Sequence, residues 1–376
     1  MTSPLLQHLR QQAARRQQQG LRRTLGERGP ADLVDLAGND YLALLHHPLV
    51  LAGAQEEVAA HGGGAGASRL VSGTVEVHSR LERELADLCG AEQALVLSSG
   101  YQANLAAVTA LADAGTTIIS DAHVHASLVD AARLARGSVV VSRHNDLDDV
   151  ERLLRAVETP RCLLLAESIY SVLGDAAPLP ELAALAERHG ATLLVDEAHG
   201  LGMAGPGGAG LVAAHGLWQR HRDHLVVTMT LSKSLAAQGG VVLGPDEVVD
   251  HLVNTARPFI YDTGLAPAAA GAALGAMQAL RQEDWRLGAV RQAMARLAAG
   301  LGLEVPAGAV LSVRVPGPQQ AVEAVAAARE QSVRIGCFRP PSSPDGQSRL
   351  RMTCHAELTD AQLDHAVGVV AGFIGR

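Results

Sequence analysis

Along the middle of the chain, short apolar runs alternate with stretches in which apolar positions recur at helical spacing. The runs predict strands at 94–98, 117–120, 138–142, 162–166, 192–196 and 225–230. The spacing between them predicts helices ending near 112, and at 126–135, 147–157 and 179–189. Strands alternating with helices imply parallel crossovers, hence an α/β sheet covered by helices on both faces. After about residue 265 the pattern changes. One long helical stretch at 267–299 leads to a strand at 310–315, a helix at 319–331 and a strand at 350–354. The expected organisation is an N-terminal arm at 1–40, a large domain at 41–265, and a small α+β domain at 266–376 completed by the chain's other end.

Composition narrows the classes. Net charge is −8 and the sequence pI about 6.0, with no basic block and only 2% aromatic residues, which argues against a nucleic-acid partner. No apolar run approaches the roughly 18 residues of a membrane span. The four cysteines form no C-x-x-C pair, so neither a zinc site nor a disulfide framework is indicated, and a reducing, cytoplasmic setting fits. Residues 1–26 carry Arg10, Arg15, Arg16, Arg22 and Arg23 and no acid, a composition shared with mitochondrial presequences; a helical arm is the preferred reading.

Lysine use changes the picture further. Lys and Arg total 31, and a single one, Lys233, is lysine. Arginine serves for surface charge, but a guanidinium cannot lose its proton in a protein, whereas a lysine amine can become neutral and form an imine. Composition alone leaves Lys233 balanced between a leftover surface lysine and a Schiff-base lysine.

Four clusters lie at predicted C-terminal strand ends, where open α/β sheets bind ligands. Ser98-Ser99-Gly100-Tyr101 precedes a helix, suiting either a phosphate or a plain tight turn. Asp121–Ser127 holds His123 and His125, which lack the partners a metal needs and could be solvated or stacked on an aromatic ring. Asp196-Glu197-Ala198-His199-Gly200 ends an apolar strand; Asp196 could protonate a pyridine nitrogen or cap the next helix. The same Asp-Glu-Ala-His string occurs in helicases, but the glycine-lysine phosphate loop they need is absent. Thr230-Leu231-Ser232-Lys233 places a hydroxyl three residues before the lysine. Together these offer a phosphate cradle, a ring acid and an imine lysine, pointing to pyridoxal phosphate (PLP).

With those motifs in place, the chain resembles the α-oxoamine synthases, PLP enzymes of the aspartate-aminotransferase fold. The resemblance spans Asn39-Asp40-Tyr41-Leu42, the 67–73 string Ala-Ser-Arg-Leu-Val-Ser-Gly, Ser99-Gly100-Tyr101 with Asn104, and His125-Ala126-Ser127. It continues through the Asp196 and Lys233 segments to Arg339-Pro340-Pro341 and Arg349-Leu350-Arg351. The 67–73 string favours the branch that joins L-alanine to pimeloyl-CoA or a pimeloyl carrier protein, releasing CO2 and giving 8-amino-7-oxononanoate for biotin. A sister enzyme using glycine and acetyl-CoA, or a PLP aminotransferase or aldolase, is the alternative. The resemblance implies Lys233 as the Schiff-base lysine and Cα base, Asp196 at the ring nitrogen, and His199 with Ser171 near the ring hydroxyl. It implies His125 on the ring face and Ser99, Gly100, Tyr101 and Thr230 at the phosphate. Thr263 is expected to reach a partner subunit's phosphate in a homodimer, and Arg339 to hold a substrate carboxylate. Asn39, Glu167 and Arg22 are further substrate-site candidates. Two departures stand out: Ser171-Val172-Leu173-Gly174 where the family often has Ser-Met-Asp-Gly, and Tyr101 where Phe is common.

Overall fold

The computed structural model describes residues 3–27 and 33–375; residues 1–2 and 28–32 of the expected N-terminal arm lie outside them. The strands in chain order are β1 (Val34–Leu36), β2 (Gln93–Leu97), β3 (Thr116–Asp121), β4 (Ser138–Ser142), β5 (Arg161–Glu167), β6 (Thr192–Asp196), β7 (Leu225–Thr230), β8 (Gly240–Gly244), β9 (Val310–Val315), β10 (Val333–Phe338) and β11 (Ser348–Thr353). They form two sheets, ordered β2-β8-β7-β6-β5-β3-β4 and β1-β10-β11-β9.

In the large sheet β3 to β7 pair in parallel, while β8 runs antiparallel to both β7 and β2. The apolar runs follow from this placement. On β6, Leu193 and Val195 feed one core and Leu194 feeds the core on the opposite face, so a strand covered on both sides must be apolar throughout. The helices Gly100–Leu111, Ala126–Leu134, Leu147–Arg155 and Leu179–Arg188 supply the crossovers at nearly the expected positions.

Four elements differ from expectation. The long 267–299 helix is two helices, Pro267–Gln282 and Trp285–Gly300, separated where Glu283 leaves helical geometry. The break lets the stretch serve two cores. The first packs into the large domain, with Gly271 against Gly53 so closely that a Cβ on either would lie 2.3 Å from the other's carbonyl oxygen. The second buries Met294 and Leu297 against the small sheet. Strand β8 was not expected; it returns from β7 through a turn rather than a helix, and Gly239 takes the positive φ (+141°) of that return. Strands β1 and β10 were also not expected. Val34–Leu36 pairs in parallel with β10, so the small sheet joins the two ends of the chain.

The N-terminal helix Pro4–Gln18 buries none of its residues, and Leu5, Leu6 and Leu9 are exposed. Among the described residues no helix is long and apolar enough to cross a membrane.

Candidate active site

A cavity of about 290 Å³ opens at the C-terminal ends of the large sheet's strands and holds Lys233, His199, Asp196, Glu167, His125, Ser99, Gly100, Tyr101 and Thr230. A larger one of about 470 Å³ adjoins it, sharing Ser232 and lined by Asn39, Asp40 and His355.

Lys233 sits in the turn after β7, with Nζ 2.9 Å from His199 Nε2. His199 Nδ1 lies 2.7 Å from the Tyr41 hydroxyl, which in turn donates to Asn39 Oδ1 at 3.2 Å. Burial pushes the lysine amine down to about 8, against the pull of Asp196 and Glu167. Burial and then the nearby Lys233 charge hold His199 well below its ordinary value, so it stays neutral. A neutral imidazole between an ammonium and a phenol has one consistent arrangement: Nε2 accepts from Lys233 and Nδ1–H donates to Tyr41.

Asp196 ends β6, buried, and accepts from Asn104 Nδ2 at 2.7 Å and from its own turn through Ala198 N–H at 2.9 Å. Asn104 is buried too. It donates to Ser127 Oγ at 2.8 Å and accepts from Thr228 Oγ1 at 2.5 Å. Ser127 then meets His125 Nδ1, through Oγ at 2.7 Å and through its backbone N–H at 3.2 Å. His125 Nδ1 is thus an acceptor, which leaves Nε2–H free as a donor. Burial lowers the His125 pKa despite the attraction of Asp196.

Glu167 and Asp196 are register partners on β5 and β6, two carboxyls brought side by side. Burial and then the Asp196 charge raise the Glu167 pKa well above the carboxylate range. Its Oε2 accepts from Ser171 N–H at 3.0 Å, while Oε1 is buried with no partner. Ser171 extends the site through its backbone: its carbonyl accepts from Arg351 Nε at 2.8 Å. Arg351 is 5% exposed, stands over the Phe338 ring, and reaches Asn39 Oδ1 with both terminal nitrogens at 3.3 Å.

The turn between β2 and the helix Gly100–Leu111 forms a cradle. Ser99 caps that helix by accepting from Gln102 N–H at 3.2 Å. A Cβ on Gly100 would lie 2.8 Å from Thr230 Cβ, and one on Gly240 would lie 2.1 Å from the Ser99 carbonyl oxygen. Only backbone fits there, so amide N–H groups and the Thr230 hydroxyl converge at a helix N-terminus, an anion site. A phosphate cradle, a buried carboxylate and a buried amine share one cavity, and that donor set fits PLP. Tyr101, beside the cradle, donates its hydroxyl to Asp130 at 2.5 Å.

Two expected residues, Arg22 and Arg339, stand elsewhere. Arg22 is exposed on the N-terminal arm, bonded to Gln17. Arg339 donates to the Gly20 carbonyl, stapling the arm to the small domain. Thr263, expected at a partner subunit's phosphate, lies outside this chain's own Lys233 cavity, near Ser98 and Asp262, which bond each other. Conversely Asn104, Ser127, Tyr41 and Arg351 were not singled out as site residues. Asn104, Tyr41 and Arg351 each lie in a motif that carried the resemblance, but their roles depend on contacts between distant segments.

The aminotransferase class I and II family model matches residues 31–370. The 8-amino-7-oxononanoate synthase of Mycolicibacterium smegmatis is 52% identical over 93% of this chain and 91% of that protein. That of Mycobacterium leprae is 50% identical over 100% and 97%. Among solved structures, a serine palmitoyltransferase carrying PLP as an internal aldimine superposes with a TM-score of 0.90 at 29% identity, covering 99% of this chain and 98% of that one.

Proposed function

The chain belongs to the 8-amino-7-oxononanoate synthases, within the class I and II aminotransferase family, and from that premise we propose how its own side chains perform a PLP-dependent, decarboxylating condensation of L-alanine with a pimeloyl thioester. Bound PLP supplies a protonated ring that absorbs the electron pair released at the alanine Cα.

Lys233 Nζ, Asp196 and the Gly100–Thr230 cradle would hold the cofactor. Asp196 has both oxygens aimed by Asn104 and Ala198, so it is preorganised to keep the ring nitrogen protonated. Lys233 Nζ, poised near 8, takes the alanine Cα proton and returns it to the product carbon. His199, neutral and wired to Tyr41, accepts a hydrogen bond from that amine and keeps it oriented. His125, with Nε2–H turned free by Ser127, donates to the thioester oxygen as negative charge builds there. Arg351 with Asn39 receives the alanine carboxylate, a bidentate task suited to a buried guanidinium. Glu167, whose carboxyl pKa is pushed up by burial and by the Asp196 charge, shares its proton readily and limits the negative charge beside the ring acid.

The observation that carries this reading is the shared cavity: the chain's one lysine and the Asp196 carboxylate open onto the same helix N-terminus. The test supplies PLP-loaded protein with L-alanine and pimeloyl-CoA or a pimeloyl carrier protein, following free thiol and product mass. Turnover of glycine with acetyl-CoA in place of that pair would overturn it.

A homodimer belongs to the same proposal. Leu70, Val71 and Tyr261 are exposed apolar side chains on two segments that Gly264 N–H ties together through the Ala67 carbonyl, next to Thr263. Solution mass by light scattering tests it. The four free cysteines suit a reducing cytoplasm.

A further inference from the structure

Outside every motif discussed so far, His144 lies in the loop after β4. Its Nδ1 is 2.9 Å from Asp121 Oδ1 and its Nε2 is 2.8 Å from Asp175 Oδ2. Carboxylates only accept, so both ring nitrogens must donate and the ring is an imidazolium. Asn145 doubles the tie: its N–H donates to Asp121 Oδ2 at 2.9 Å and its Nδ2 to Asp175 Oδ2 at 2.9 Å.

The two carboxylates belong to different active-site loops. Asp121 starts the loop that delivers His125, and accepts from His123 N–H at 2.7 Å. Asp175 lies in the segment after β5 that carries Ser171, whose carbonyl grips Arg351 and whose N–H grips Glu167. The His144 ring also stacks on His123 at 3.8 Å and meets the edge of Tyr170 at 4.4 Å. We propose that His144 is a positioning residue of the synthase, a charged clasp fixing the His125 loop relative to the Ser171–Arg351 loop. The clasp rests on the reading above for what those loops do.

The groups facing His144 are Asp121 and His123 from one loop and Asp175 and Tyr170 from the other. Asn145 is beside it on its own loop, and Glu167 and Asp345 act on Tyr170 and His123 from further off. Burial pulls the His144 pKa down, but Asp121 and Asp175 more than offset it, raising it from 6.5 to about 9. A histidine whose folded value is raised holds its stabilising contacts fully below its unfolded value and loses them as pH rises through about 9. The clasp is therefore closed at neutral pH. Among the described residues no group of three His, Cys, Asp or Glu side chains is arranged to hold a metal, so the cluster acts through hydrogen bonds.

Hydrogen exchange of the full-length protein, with and without PLP, tests the clasp in wild type, His144→Gln and Asp175→Asn. In His144→Gln the amides of 122–127 and 168–177 should exchange about tenfold faster at neutral pH, with β6 and β7 unchanged. The KM for L-alanine should rise about tenfold with a smaller change in kcat, because Arg351 loses its brace while Lys233 does not. In wild type the ratio of loop to core exchange should climb above about pH 9, and in Asp175→Asn the climb should begin at lower pH, since one of two carboxylates is gone. Unchanged exchange in either loop of His144→Gln overturns the proposal, as does an unmoved pH onset in Asp175→Asn. Should His144→Gln fail to fold, Asp175→Asn, which keeps the Asp121 bond, decides alone. A wild-type protein that makes no product fails the synthase reading, while loop exchange still reports on the clasp.

Discussion

Replacing Asn104 with alanine offers the sharpest check on how Asp196 is held. The side chain is 3% exposed and makes three hydrogen bonds, donating to Asp196 Oδ2 and Ser127 Oγ and accepting from Thr228 Oγ1. A bond to a buried charge is worth about 2 kcal/mol, and each neutral one about 1 kcal/mol. The Thr228 hydroxyl can rotate to another acceptor and Ser127 Oγ loses only a neutral donor, but an Asp196 oxygen cannot supply its own donor. The charged bond is the part that PLP should sense, since Asp196 must stay ionised and aimed. About 2 kcal/mol corresponds to roughly thirtyfold weaker PLP binding, read by equilibrium titration of cofactor absorbance. Asn104→Asp should be weaker still, because a second carboxylate would stand where the donor now lies 2.7 Å from Asp196. Ser127→Ala, which cuts the neutral bond from Asn104 and the hydroxyl arm to His125 but leaves the Asn104–Asp196 bond, should bind PLP within about fivefold of wild type. A folded Asn104→Ala protein that binds PLP within about threefold of wild type would refute the reasoning.

Lys233→Arg keeps the charge but not a deprotonatable amine, so turnover should fall by about a thousandfold or more; residual activity near wild type would exclude Lys233 as the base. With the Lys233 amine at about 8, the rate of PLP loading, which needs the neutral amine, should rise about tenfold per pH unit below that value and level off above it. Stopped-flow absorbance would follow it, and a flat profile would contradict the shift. Arg351→Lys should raise the KM for L-alanine about a hundredfold by losing the bidentate contact, whereas Arg339→Ala, bonded to Gly20, should stay within about threefold; steady-state kinetics would show the reverse order if Arg339 holds the carboxylate.

The alternation of apolar runs with helical spacing was enough to place β2 to β7 and the helices from β2 to β6, because a strand buried on both faces can carry little but apolar residues. Strand β8 escaped the same reasoning. It follows β7 without a helix and has glycines at both ends, so its role as the antiparallel partner of β2 and β7 shows only once the sheet is assembled. The break at Glu283 escaped as well, since the apolar spacing on either side is helical and only the division between two cores requires it.

In the site, a strand end followed by a short motif could be read locally, and Lys233, Asp196, His199, His125 and the Ser99–Tyr101 turn line one cavity. The arginine could not. Arg349 and Arg351 share a face of β11, yet one turns to Asp345 while the other turns to Ser171 and Asn39. A difference of two residues along a strand is about 7 Å, and where that strand sits against the Ser171 loop is a property of domain packing. The sequence by itself determined the residues able to do the chemistry and the strand ends that present them, because chemical type and burial pattern are written residue by residue. The tertiary structure alone decided which guanidinium reaches Ser171 and Asn39, that Glu167 stands beside Asp196 with its pKa raised, and that His144 is charged, because each depends on neighbours brought in from distant parts of the chain.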